Sequence, residues 1–136
     1  MNPIVHEGGC LCGRIRYRAI GSPMRPSHCH CELCRRASGA PFVSWASFQA
    51  ADFAFIRGTP RRYDSSASAW RGFCGDCGTQ LTFHAHRSPE SVDVTLASLD
   101  DPESIVPLDH IWTRRQLAWV RLADGLPRHA GNRGED

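Results

Sequence analysis

Lysine is absent: all 16 basic residues of this chain are arginine. That is a bias of composition and carries no functional signal. A clustered basic face is missing as well. The formal charge is +2 with neutral histidines, and metal-bound thiolates would pull it lower. Nucleic acid and anionic membrane surfaces, which need a dense basic patch, are therefore not expected as partners. No apolar run approaches the roughly 20 residues of a membrane span. Residues 1–5 are too few and too polar for the apolar core of a signal peptide, and Gly8-Gly9-Cys10 follows at once. The expected location is cytoplasmic, where thiols stay reduced. An even set of cysteines is also lacking. Seven cannot make a complete disulfide framework, and Cys-x-Cys pairs close strained rings. Metal binding is the better reading. No repeat or low-complexity linker divides the 136 residues, so a single domain is expected.

What is present is organised around cysteine. Cys29, Cys31 and Cys34 fall within one stretch, Ser27-His28-Cys29-His30-Cys31-Glu32-Leu33-Cys34-Arg35-Arg36. Two pairs lie far from it, Cys10 with Cys12 and Cys74 with Cys77. Cys74-Gly75-Asp76-Cys77-Gly78 is a knuckle in which the chain turns tightly between two thiolates, and Gly78 permits positive φ. Together the two pairs supply four thiolates, enough to close a tetrahedral structural zinc site. The 61 residues between Cys12 and Cys74 are too many for a simple zinc ribbon. Most of the sheet must lie between them, and zinc would staple the first strand to a late one. A lone Cys-x-x-Cys is also a redox motif, but that motif accompanies a βαβ pattern, and none is visible.

The remaining three cysteines behave differently. Cys29 and Cys31 share a face in extended chain, and a turn brings Cys34 to the same side. Three thiolates leave one position of a tetrahedral ion open. Water, a substrate thiolate or a histidine are the candidates for it. Alternation aims His28 and His30 away from the face of Cys29 and Cys31. Spacing alone leaves two readings level: an open functional zinc, or a second structural zinc with an unrecognised ligand. Zinc held by three thiolates carries a net charge of −1, so its Lewis acidity is blunted. It suits capture of a soft ligand, because a coordinating thiol loses its proton.

Many short apolar segments bounded by glycine and proline predict a mainly β domain. Residues 13–20 alternate arginine with apolar side chains and predict a half-buried strand with Arg14, Arg16 and Arg18 on its solvated face. The two prolines of residues 21–26 predict a loop. A short helical turn is expected over residues 32–38, stopped by Gly39-Ala40-Pro41. Strands follow over 42–48 and 53–58, a hairpin over 61–65 and 69–73, and strands over 79–84 and 91–96. Residues 101–104 read as one helical turn, 110–112 as a short extended piece and 124–127 as a turn. The domain is expected over residues 1–129, with a frayed polar tail over 130–136. Trp45, Trp70, Trp112 and Trp119 read as core rather than as stacking platforms. His84 and His86 read as ordinary surface or core residues.

At these positions the sequence resembles the glutathione-dependent formaldehyde-activating enzyme family, which also includes centromere protein V. The resemblance is carried by Gly9-Cys10-Leu11-Cys12-Gly13, by Cys29-His30-Cys31 with Cys34-Arg35-Arg36, and by Gly39-Ala40-Pro41-Phe42 with Trp45. It continues in the run from Arg71 to Thr79, and more weakly in His110-Ile111-Trp112 and Asp124-Gly125-Leu126-Pro127. This chain looks like the short, generic form of that domain. The resemblance implies a small β-tent fold of the Mss-four type, built of short antiparallel strands and two zinc ions per chain. By the same resemblance, Cys10, Cys12, Cys74 and Cys77 hold a structural zinc, and Cys29, Cys31 and Cys34 hold a catalytic one. It also implies a carbon–sulfur lyase whose named reaction is the reversible condensation of formaldehyde with glutathione to S-hydroxymethylglutathione.

Two functions are therefore in view. In the first, the chain is a zinc lyase acting on a thiol adduct of the glutathione type. Arg35 or Arg36 would bind a substrate carboxylate, and His30 would relay a proton or orient the loop. In the second, it is a non-catalytic zinc module that binds a partner protein, its three-cysteine zinc sealed by a protein ligand.

Overall fold

The computed structural model describes residues 3–134. Ten strands and one α-helix follow in chain order: β1 (Val5–Gly9), β2 (Arg16–Ile20), β3 (Met24–Cys29), α1 (Glu32–Ser38), β4 (Val43–Gln49), β5 (Phe53–Arg57), β6 (Arg61–Ser66), β7 (Ala69–Phe73), β8 (Gln80–Ala85), β9 (Ser91–Thr95) and β10 (Asp109–Ile111). They form a three-stranded sheet, β1-β2-β5, and a seven-stranded sheet, β10-β3-β4-β9-β8-β7-β6. The architecture is the mainly β one that the short strands predict. All pairings are antiparallel except β10 with β3, which is parallel. After β4 the chain leaves the large sheet to make β5, then returns as the meander β6 to β9, whose last strand pairs with β4.

The two faces of the large sheet do different things. On β4, Ala46 and Phe48 join Val92, Val94 and Leu81 in a core with Ile15, Tyr17 and Ala19 of the small sheet and the strand leading into it. Trp45 points the other way, because successive side chains alternate across a strand. It packs with Cys29, Cys34, Val43, Phe83, Ile111 and Trp112 in a second, smaller cluster. One face therefore buries the main core and the other carries the three-cysteine centre.

Several boundaries differ from expectation for physical reasons. Residues 6–9, whose paired glycines favour a tight loop, instead belong to β1, where Gly8 lies against the Tyr17 ring and Gly9 against the Ile15 carbonyl with no room for a Cβ. Residues 24–26, read as loop, begin β3. The register shifts between Met24 and Ser27, and Arg25 takes φ +48°. That irregularity seats Pro26 where no ladder N–H is required. Residues 130–134 are also not free. Gly131 accepts from Trp112 N at 2.8 Å, and Arg133 Nη2 donates to Asp109 Oδ1 at 2.9 Å. Residues 135–136 of the expected tail, and residues 1–2, lie outside the described residues.

The arginine face of β2 is solvated and ion-paired. Arg16 meets Asp100 and Arg18 meets Glu7, while Arg14, just before the strand, meets Asp76. Of the four tryptophans, Trp45 is buried, Trp70 and Trp112 are half-buried, and Trp119 departs from expectation at 71% exposed. Trp70 lies between the Arg62 guanidinium, 4.5 Å from its centroid, and the His84 ring, stacked at 3.6 Å.

His84 carries a pH prediction. Burial, aided by the nearby Arg62 charge, pushes its pKa down to about 4. Between pH 6.5 and 4 the unfolded chain takes up a proton at His84 that the folded chain refuses, so stability falls as pH drops through that window. The melting temperature of His84→Gln, relative to that of the native chain, is expected to rise from pH 7 to pH 5.5. A pH-independent difference would show that another group governs the acid limb.

Candidate metal centres

The turn between β1 and β2 and the turn between β7 and β8 meet at one end of the molecule. Cys10, Cys12, Cys74 and Cys77 there place their four sulfurs within 4.8 Å of one another. The Cys10–Cys12 and Cys12–Cys74 sulfur separations are 3.6 and 3.8 Å. Four sulfurs about 2.3 Å from a tetrahedral zinc sit about 3.8 Å apart, so the set fits the ion. Backbone donors surround it. Cys10 Sγ accepts from Ile15 N at 3.3 Å, and Cys74 Sγ accepts from Asp76 N and Cys77 N, both at 3.4 Å. Gly78 takes φ +83° and returns its N–H to the Cys74 carbonyl at 2.8 Å. Thr79 Oγ1 accepts from Leu11 N at 3.0 Å, tying the two turns together without the ion. A hydrogen bond from the Thr79 hydroxyl, with backbone N–H groups, draws the Cys77 thiol down to about 5.

The second group forms where β3 runs into α1. Cys29 ends β3, Cys31 caps α1, and Cys34 lies within its first turn. Cys31 Sγ accepts from Cys34 N at 3.3 Å, and Gly39 closes the helix in the left-handed region. The Cys29 and Cys34 sulfurs stand 3.5 Å apart, again suited to thiolates on one zinc. Hydrogen bonds from Cys29 and Cys34 hold the Cys31 thiol down at about 2. The same contacts, followed by burial, push Cys29 far up. Among the described residues, no histidine or carboxylate joins these three sulfurs in a metal-binding group.

The residues singled out beside the cysteines take distinct places. His30 is fully buried and points to β10. Its Nε2 lies 2.9 Å from His110 Nδ1, and His110 Nε2 lies 2.8 Å from Asp124 Oδ2. The Asp124 carboxylate accepts, so His110 carries its proton on Nε2 and His30 donates from Nε2. The His30 Nδ1 lone pair is then left buried without a partner. Burial, with the neighbouring His110, lowers the His30 pKa to about 4, so the ring is neutral. Arg35 is half-buried and its Nε has no partner. Arg36 is exposed and pairs with Glu32 one turn earlier at 3.0 Å. His28, His110 and Asp124 also bring donor atoms within 4.8 Å. The His28 and His110 rings stack with planes 28° apart, so their in-plane lone pairs run side by side instead of converging on an ion.

Three residues of this neighbourhood escaped sequence reasoning as site residues. Arg71, on β7, is 3% exposed and turns its Nη1 and Nη2 onto Cys34 Sγ at 3.7 and 3.6 Å. His110 meets His30 from 80 positions away, and Asp124, 94 positions from His30, holds His110 in turn. All three stand in the runs that carry the family resemblance, and no local periodicity marks them otherwise.

The sequence profile of the glutathione-dependent formaldehyde-activating enzyme family matches residues 5–115. The chain belongs to that family. The matched segment contains all seven cysteines and Arg71. An uncharacterized lyase of Schizosaccharomyces pombe is 38% identical over 78 residues, which are 57% of this chain and 56% of that protein. A Halomonas elongata protein, provisionally named a glutathione-dependent formaldehyde-activating enzyme, is 25% identical over 129 residues, 85% of this chain and 80% of that protein. This chain thus spans little more than half the length of the yeast relative it matches. A crystal structure of a Rhodobacter sphaeroides protein shares the fold at a TM-score of 0.58. It is 21% identical, and the superposition covers 90% of this chain and 98% of that one. No helix among the described residues is long and apolar enough to cross a membrane.

Proposed function

We propose that this family member is a zinc-dependent carbon–sulfur lyase acting on a thiol adduct of the glutathione type, including the reversible formation of S-hydroxymethylglutathione. The observation that carries this reading is the convergence of Cys29, Cys31 and Cys34 with no fourth histidine or carboxylate among the described residues. Cys10, Cys12, Cys74 and Cys77 would hold a second, structural zinc. The lyase name of the Schizosaccharomyces pombe relative and the formaldehyde-activating name of the Halomonas elongata one support the reaction class. Zinc held by the three thiolates would offer an open position to a sulfur and stabilise it as thiolate.

In the cleavage direction the hydroxymethyl O–H loses its proton and its oxygen forms the aldehyde C=O. The C–S bond breaks with its electron pair going to sulfur, and formaldehyde and the thiol are released. The chain's own residues prepare that step. Arg71 places a fixed positive charge beside Cys34. Arg35, with an unpartnered Nε, is suited to a substrate carboxylate; Arg36 is already held by Glu32. His30, locked by His110 and Asp124, orients the loop between Cys29 and Cys31.

Exchange spectroscopy on glutathione and formaldehyde tests this directly. The zinc-loaded protein is expected to accelerate interconversion of free glutathione and its hydroxymethyl adduct over the uncatalysed rate. An unchanged exchange rate would remove formaldehyde as the electrophile. Absence of any thiol binding would favour the non-catalytic zinc module instead.

A further inference from the structure

A buried guanidinium normally answers to a carboxylate. Arg71 does not. Among the described residues no carboxylate pairs with it, and its hydrogen-bond partner is the Cys34 sulfur, reached by both terminal nitrogens. Its flat faces are covered by aromatic rings, Phe83 at 5.0 Å and Trp45 at 5.9 Å. Those rings attract the cation but do not neutralise it. With Arg71 3% exposed, water does not screen it either. Among the described residues, the group that meets its terminal nitrogens and can balance the charge is the three-sulfur centre.

We infer that Arg71 is the counter-ion of the three-cysteine centre, and that it sets the preference of that centre for an anionic sulfur as fourth ligand. This rests on the open-site reading above. The charge count gives the reason. Three thiolates and one zinc carry −1, so Arg71 brings the buried ensemble to neutrality. A fourth thiolate then raises it to −1; without Arg71 it would be −2 in a poorly screened pocket. The paired N–H donors also draw electron density from the Cys34 sulfur. That weakens its donation to the metal and leaves more affinity for an incoming anion. A neutral ligand gains little from either effect, so Arg71 acts on selectivity between ligand classes. It does this through Cys34, as a positioning residue.

The position of Arg71 follows from register. Arg71 on β7 is opposite Phe83 on β8, and Phe83 is opposite Asp93 on β9. This cross-strand row lies on the same face of the sheet as Trp45. The row carries the guanidinium across the sheet to α1, where Cys34 waits. Asp93 is on that row but hydrogen-bonds to Ser47, so it does not compete for Arg71.

The test uses full-length protein with cobalt(II) in place of zinc at the three-cysteine centre, monitored by its visible absorption. The probes are 2-mercaptoethanol, which has no carboxylate to engage Arg35, and imidazole, which is neutral. Arg71→Gln is expected to weaken the thiol at least tenfold while changing imidazole binding less than about threefold. Metal content at the four-cysteine site and far-ultraviolet dichroism report that the fold is retained. Arg71→Lys keeps the charge without the fork, and decides the matter even if Arg71→Gln does not fold. Thiol affinity kept within about threefold of native supports the counter-ion role, and a tenfold loss overturns it. Native protein that binds no thiol would overturn the open-site reading and this inference together. Native binding that Arg71→Gln leaves unchanged, or equal losses for thiol and imidazole, would overturn this inference alone.

Discussion

Cys74→Ser is expected to leave the chain unfolded at 25 °C. Cys74 is almost fully buried and belongs to the main core. Its sulfur accepts from two backbone N–H groups and stands 3.8 Å from that of Cys12. The four-sulfur site joins the β1–β2 turn of the small sheet to the β7–β8 turn of the large one. Losing it leaves the hydrogen bond from Leu11 N to Thr79 Oγ1 to tie the two turns, a contribution of only about 1 kcal/mol. A structural zinc site contributes about 10–16 kcal/mol of apparent binding energy, while whole domains are stable by about 5–15 kcal/mol. The first figure consumes the second. Serine is a poorer ligand and leaves its hydroxyl in a pocket built for sulfur. Dichroism and metal analysis measure the outcome: loss of the cooperative transition, with bound zinc falling well below two per chain. A variant melting within a few degrees of the native chain would show that the main core holds without the staple.

Cys31→Ser is expected to do the opposite, keeping the fold and removing the chemistry. Cys31 is half-buried and lies outside the main core. It is the cap of α1, and serine is among the preferred residues at that position. The backbone bond from Cys34 N can therefore be kept by the new hydroxyl. What is lost is one of three sulfurs, and with it, on the proposed reading, tight binding of zinc at that centre. Zinc is expected to fall from two to one per chain, with a melting temperature change below about 5 °C. Adduct exchange should drop by about a thousandfold or more, the scale on which removing a central catalytic group acts. Unfolding as complete as that of Cys74→Ser would make the three-cysteine centre structural. Undiminished exchange would place the reaction elsewhere.

The contrast between these variants rests on how the seven cysteines divide, and that division was legible from spacing. Cys29, Cys31 and Cys34 are close enough in sequence to converge through one strand end and one helical turn, whatever the rest of the chain does. Helix α1 was equally legible, since Gly39 and Pro41 stop it. Strands β4, β5 and β7 to β9 were legible because each carries apolar or aromatic side chains between turn residues, and the polar β6 was legible as the hairpin partner of β7. The misread elements had weak local signals. β1 holds two glycines, which mark loops more often than strands, and it forms because Tyr17 and Ile15 need a neighbour with no side chain. β3 begins at a proline-rich stretch, and a bulge makes that tolerable.

Only the tertiary structure decided what stands around the three sulfurs. Arg71 reads in the sequence as one more arginine of a hairpin. Cross-strand register, set by the meander β6 to β9, turns it inward onto Cys34. His30 reads in the sequence as a proton relay or a loop-orienting residue with no named partner, and the parallel pairing of β10 with β3 sets His110 beside it and Asp124 beyond. The sequence by itself determined which atoms can bind a metal, because ligand spacing is a local property of a few residues. The charge and hydrogen bonds around those sulfurs and the loop that holds them come from side chains 37 to 94 positions away, and only the folded sheet brings them within reach.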